Sequence, residues 1–127
     1  MNNSNGIYIK TCFVFGSNEA GRHGKGAALF AKKNHGAIYG QGWGLQGTSF
    51  AIPTKDAYLK VLPLDKIGAY MKAFLDFARS NPDMLFQLTP IGTGLAGYDK
   101  EDILRILYYN EVPVNVVLTR EWIRNYS

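Results

Sequence analysis

The stretch LFQLTPIGTGLAGYDKEDILRIL, Leu85 to Leu107, decides how this 127-residue chain is read. Leu85 to Leu88 is a short apolar run of the kind a buried parallel strand needs, and Pro90 ends it. Gly92, Gly94 and Gly97 free the backbone to take left-handed angles and let a ligand come close. Asp99 is placed as an N-cap, and Ile103, Ile106 and Leu107 give the next helix its apolar face. A turn of this kind aims several N–H groups at one point beside a helix N-terminus, which makes an anion site. The expectation is a loop that binds phosphate or pyrophosphate.

Upstream, residues 1–6 are polar and read as a loose tail of a single domain spanning 1–127. The first strand lies within Ile7 to Gly16, with Cys12-Phe13-Val14-Phe15 its buried part. Gly16 to Gly26 is polar and glycine-rich, and Ala27 to Asn34 reads as a helix with Gly36 just past its end. Ala37 to Tyr39 reads as a short strand. Gly40 to Gly47, with four glycines in eight residues, reads as a mobile loop carrying an exposed Trp43. Ser49 to Pro53 is the next strand. Leu64, Ile67, Met71, Phe74, Leu75 and Ala78 mark a long amphipathic helix from Leu64 to Arg79, ended by Asn81-Pro82. Val114 to Leu118 is the last strand and Arg120 to Asn125 a final short helix.

Strands alternating with helices, without hairpin turn signals, define an α/β fold: three layers, α/β/α, around a mainly parallel central sheet. Ligands of such sheets bind beyond the carboxyl ends of the strands. Those ends are Gly16-Ser17-Asn18, Thr54-Lys55-Asp56, Gly92-Thr93-Gly94 and Thr119-Arg120. All are polar, glycine-rich or basic, so one shared site is expected there.

The totals agree with an ordinary soluble globular protein: 46% hydrophobic and 19% charged residues, with no apolar run of membrane-spanning length. MNNSNG is no signal peptide, and the lone Cys12 sits in an apolar run as a buried thiol, so the chain reads as cytoplasmic. A net charge of +4 and a pI near 9.2 suit an anionic ligand. The basic residues are scattered, with Lys32-Lys33 the one adjacent pair, so nucleic acid ranks last as a partner.

Near-matches to known phosphate loops narrow the chemistry. Gly16 to His23 fits GxxxxG, but Arg22-His23 stands where an NTPase loop needs Lys and a hydroxyl for magnesium. Gly42 to Gly47 fits GxGxxG but leads into a strand. Gly92 to Gly97 fits it between strand and helix, yet too late in the chain for a dinucleotide fold. No cysteine–histidine cluster, paired carboxylate or nucleophile elbow is present, so no metal or cofactor is assigned. His23 reads first as a solvated loop histidine and second as an acid–base group near neutral pH, and Asp56 is the one carboxylate at a strand end, the best placed base. Lys25 and Lys55 are placed to neutralise phosphate, and Trp43 and Tyr98 to stack on a base or ribose. His35 reads as a cation at a helix end.

With that order of elements the chain resembles a macro domain, the ADP-ribose-binding fold. Phe13-Val14-Phe15-Gly16-Ser17-Asn18 with Gly21 to Gly26 resembles the family's asparagine turn and glycine-rich helix start. Pro90 to Tyr98 resembles its S/T-G-x-x-G-[YF] loop, and Phe50 to Thr54 its middle strand. The FGSNEAGRHGKGAA block also looks like small proteins often encoded by phages. The resemblance implies that Gly92, Thr93, Gly94, Leu95, Ala96, Gly97 and Tyr98 wrap a diphosphate. It further implies that Ser17, Asn18, Gly24, Lys25 and Gly26 face the distal ribose. Macro domains carry an N-terminal Gly-Asp pair that reads adenine, and nothing before Ile7 matches it. The implied ligand is ADP-ribose or a modified relative. Three uses follow: binding alone, removal of ADP-ribose from a macromolecule or of phosphate from ADP-ribose 1″-phosphate, or sequestration of an NAD-derived signal by a phage-type protein. In the hydrolase, Asn18 positions the ribose and Asp56 or His23 moves the proton.

Overall fold

The computed structural model describes residues 8–123, so the expected tail and the end of the expected last helix lie outside the described residues. Five strands form one sheet: β1 (Lys10–Asn18), β2 (Gly44–Gln46), β3 (Ser49–Lys55), β4 (Met84–Leu88) and β5 (Val116–Leu118). Their order is β2-β3-β1-β4-β5, with β1 parallel to both β3 and β4, and β4 parallel to β5. Only β2 runs antiparallel, on β3. Three helices join them: α1 (Gly26–Asn34), α2 (Leu64–Arg79) and α3 (Lys100–Tyr109). This is the expected α/β/α arrangement on a mixed, mainly parallel sheet. No helix among the described residues is long and apolar enough to cross a membrane.

The two faces of β1 divide the core, because successive side chains on a strand point to opposite sides. Cys12 and Val14 meet Phe50, Ile52, Phe86 and Leu88 under α2 and α3. Phe15, on the other face, packs with Ala51 and with Ala28 and Ala31 of α1. Small residues on α1 let it lie close to the sheet. The heavier face comes from α2, whose Ile67, Met71, Phe74, Leu75 and Ala78 are wholly buried at helical spacing. There Phe50 meets Phe74 and Phe77 at ring-centroid distances of 5.0 and 5.1 Å, and Phe74 meets Phe86 edge-on at 5.4 Å. Burial pushes the Cys12 thiol up to about 12, so it is an inert core group.

The structure departs from the sequence reading in five places. Gly40 to Gly47 is not a mobile loop: it carries β2, and a tight Gly47-Thr48 turn joins β2 to β3 as a hairpin. The Gln46 side chain pins it, accepting the Ile38 N–H at 2.7 Å and donating to the carbonyls of Gln41 and Gly44. Trp43 is half-buried, edge-on to Phe50 and 5.4 Å from Tyr70. Ala37 to Tyr39 is no strand, since the sheet position it would take belongs to β2. β1 runs on past Gly16 through Ser17 and Asn18, which pair with β3 as far as Lys55, and Asn18 then opens the turn that follows by accepting the Gly21 N–H. Finally, the last helix is a single 3₁₀ turn, Arg120–Trp122, held by Trp122 Nε1 donating to the Leu88 carbonyl at 2.7 Å.

Candidate functional site

At the carboxyl ends of β1 and β3, and in the segments that follow β4 and β5, lies a cavity of about 920 Å³. Its lining includes Ser17 and Asn18 of β1, Thr54 and Lys55 of β3, Thr89 to Ala96 after β4, and Glu121 after β5. The fourth expected strand end, Thr119-Arg120, is absent from the lining; the Thr119 hydroxyl is buried without a partner.

One wall is the start of α1. Asn18 closes the chain before it: its Nδ2 donates to the Arg22 carbonyl at 3.0 Å, and its Oδ1 accepts the Arg22 N–H at 2.8 Å. Gly42 packs against this turn so closely that a Cβ there would stand 2.2 Å from the Asn18 carbonyl oxygen. Lys25 is the N-cap of α1, and no side chain caps the helix. The first intrahelical bond runs from Leu29 N–H to the Lys25 carbonyl, and the amides of Gly26, Ala27 and Ala28 before it have no acceptor among the described residues. All three residues line the cavity, and the first turn holds no acidic side chain.

A second part of the lining is the glycine loop. Gly92 takes φ +78, where a side chain would be strained, and Gly97 takes φ +86. Within the loop Thr93 N–H and Oγ1 both donate to the Pro90 carbonyl, Gly97 N–H to Gly94, and Tyr98 N–H to Gly92. Among the described residues, the amides of Gly92, Gly94, Leu95 and Ala96 have no acceptor. The helix after the loop is not the anion site the sequence pointed to. Asp99 and Asp102 form a capping box on α3, with Glu101 beside them, so its own carboxylates occupy that terminus. The helix end without a side-chain cap belongs to α1, whose first residues line the cavity.

Ten of the twelve expected ligand-binding residues line the cavity: Ser17, Asn18, Gly24, Lys25, Gly26, Gly92, Thr93, Gly94, Leu95 and Ala96. Gly97 and Tyr98 do not. Tyr98 turns away from it, donating through Oη to the Leu62 carbonyl at 2.8 Å and packing on the main core, so it stacks on no ligand. Trp43 is likewise outside.

Neither acid–base candidate, Asp56 or His23, lines the cavity. The Asp56 Oδ1 accepts the N–H groups of Tyr58 and Lys60 at 2.8 and 2.9 Å, closing its own turn outside the cavity. His23 is no solvated loop residue. It is wholly buried, edge-on to Phe15 at 5.2 Å, with Nε2 3.2 Å from Ser17 Oγ and Nδ1 without a hydrogen bond. Burial, aided by the charge of Lys32, pulls its pKa below the ordinary 6.5 against an opposing pull from the Gln41 backbone. It is a neutral prop behind the wall. His35 also does more than end a helix, since its ring stacks on Phe13 at 4.8 Å and 11°.

Several lining residues escaped the sequence reading. Arg22 joins Lys25 and Lys55 as a third cation, against one lining carboxylate, Glu121. None of the three cations is ion-paired among the described residues. Phe13 and Phe30 line one end, and Leu59 reaches in from the turn that Asp56 closes, held at φ +67. Asp56 in a short polar turn was the one available signal for Leu59. No group of three His, Cys, Asp or Glu among the described residues could hold a metal ion.

Fold and cleft together define an α/β protein whose strand ends open onto an amide-lined, cationic cavity. No protein-family model and no curated protein matches the sequence. Among solved structures, a protein of unknown function from Bacteroides thetaiotaomicron is similar, at 18% identity and a TM-score of 0.61, over 88% of this chain and 95% of that one. At that identity the likeness shows the α/β/α fold and carries nothing about a ligand.

Proposed function

We propose that this chain binds ADP-ribose or a related NAD-derived nucleotide, with the diphosphate between the start of α1 and the glycine loop. The observation that carries the reading is the convergence of unpaired amides from Gly26 to Ala28 and from Gly92, Gly94, Leu95 and Ala96 on one cavity. Arg22, Lys25 and Lys55 add a cationic field for the same charge. A hydrogen bond to a charged group contributes about 1.5–3 kcal/mol. Four of them at the upper value, about 12 kcal/mol, less an association cost of about 4, reach the roughly 8 kcal/mol of a micromolar complex.

Binding without turnover is the better supported use, because neither Asp56 nor His23 lines the cavity. Macro-type recognition of ADP-ribose rests on the sequence resemblance, with the amide cradle as its physical counterpart here. Calorimetry with ADP-ribose tests the proposal: micromolar binding is expected, with the ligand recovered intact after the protein is heated. Absence of binding at millimolar ADP-ribose sinks it, and release of phosphate from ADP-ribose 1″-phosphate would favour the hydrolase instead.

A further inference from the structure

We infer that the apolar end of the cavity, built on Phe30 and Phe13, is a stacking platform for the base of a bound nucleotide. The inference rests on the nucleotide reading above and adds where the base lies. Ala27 and Phe30, three residues apart on α1, share one helix face, and both line the cavity. Phe30 leaves 49% of its surface exposed, which nothing in the core requires. Its ring lies 5.3 Å from Phe13 at a 59° tilt, and Phe13 is backed in turn by the stacked ring of His35. Phe13 and His35, the latter 5.5 Å from Phe30, therefore hold the ring in place while about half of the residue stays open.

Its spacing from the anion cradle fits a nucleotide. Phe30 lies four residues beyond Gly26, about 6 Å along the helix, and helical side chains lean back toward the N-terminus. That separation accommodates one ribose between a phosphate on the Gly26 amide and a base on Phe30. The nearby Thr89 hydroxyl already donates to the Val14 carbonyl at 2.7 Å, so contact at this end is mainly through ring faces. Asn18 and Lys55, paired at the end of β1 and β3, and Arg22 in the loop after β1 are left to the other end of the ligand. Neither Tyr98 nor Trp43 shares in this role.

Calorimetry on the full chain separates the base from the phosphates, using ADP-ribose and inorganic pyrophosphate as probes. Phe30→Ala is expected to weaken ADP-ribose by about tenfold or more while changing pyrophosphate by less than about twofold. Phe30→Trp keeps ADP-ribose binding, because it preserves a stacking face. Unchanged ADP-ribose affinity in Phe30→Ala, equal losses for both probes, or loss of ADP-ribose in Phe30→Trp overturns the platform and leaves the nucleotide reading standing. Wild-type protein that binds pyrophosphate but not ADP-ribose overturns both.

Discussion

Asn18 and Arg22 grip each other twice, side-chain amide to backbone, at 3.0 and 2.8 Å. That pair of hydrogen bonds sets the exit of the chain from β1 and so the approach to the start of α1, whose first residues line the cavity. Asn18→Asp keeps the acceptor for the Arg22 N–H but sets a carboxylate oxygen against the Arg22 carbonyl. We expect a loss of about 1–3 kcal/mol in denaturant unfolding, with weaker ADP-ribose binding. Wild-type stability in Asn18→Asp would show that the turn does not depend on this pair.

Gly94 and Gly97 separate binding from folding. A Cβ at Gly94 meets open space at an ordinary φ, and Gly94 lines the cavity. Gly94→Val therefore leaves the melting temperature near wild type and weakens ADP-ribose by about tenfold or more, an expected loss of at least ~1.4 kcal/mol. Gly97 lies outside the cavity at φ +86, so Gly97→Val costs about 1–3 kcal/mol of stability through backbone strain. Paired thermal melts and titrations distinguish the two, and the reverse pattern would contradict the placement of the loop.

The burial of His23 makes stability depend on pH. Its folded pKa lies below the ordinary 6.5, so the unfolded chain takes up the proton first as pH falls. Stability is thus full above about pH 6.5 and declines below it, by at most about 1.4 kcal/mol per pH unit. His23→Gln, which cannot titrate, flattens this part of the profile. A melting temperature equally pH-dependent in both proteins between pH 7 and 5 would assign the effect elsewhere.

Gly42 admits no side chain. Its Cβ would stand 2.2 Å from the Asn18 oxygen and 2.9 Å from that of Glu19, both backbone atoms. Gly42→Ala should cost about 1–3 kcal/mol or more, and ADP-ribose binding should fall with it because the displaced segment carries Asn18. Calorimetric unfolding of the variant checks the first part, and a wild-type melt would refute it.

The cationic lining makes affinity sensitive to charge. Lys25→Glu places a carboxylate at the N-cap of α1, where it can fold back on the amides that face the ligand. ADP-ribose binding should weaken by about tenfold or more while the melting temperature holds or rises. Titration at two salt concentrations should also show wild-type affinity falling as salt rises.

What was legible in the residues is the part that depends on local pattern. The apolar stripe from Ile67 to Ala78 marked α2 to the residue, because a helix must bury one face. The GTGLAG run marked the turn after β4 that lines the cavity, since its glycines serve the local backbone. The β2–β3 hairpin was missed because its turn lacks a strong signal and Gln46, which holds it, acts through bonds to Ile38 and Gln41. His23 was misread for a related reason: burial of a loop residue is set by Phe15 and Ser17 beneath it.

Local pattern fixes the alternation of strands and helices and the polar character of the strand ends, because periodicity and glycine content are local properties. Which groups meet is an outcome of the folded chain. Folding capped α3 with its own aspartates, left the first amides of α1 without a side-chain cap at the cavity, drew Tyr98 into the packing and left Phe30 half-exposed. Those outcomes depend on which unpaired donor finds an acceptor once distant segments touch, and no spacing along the chain records that.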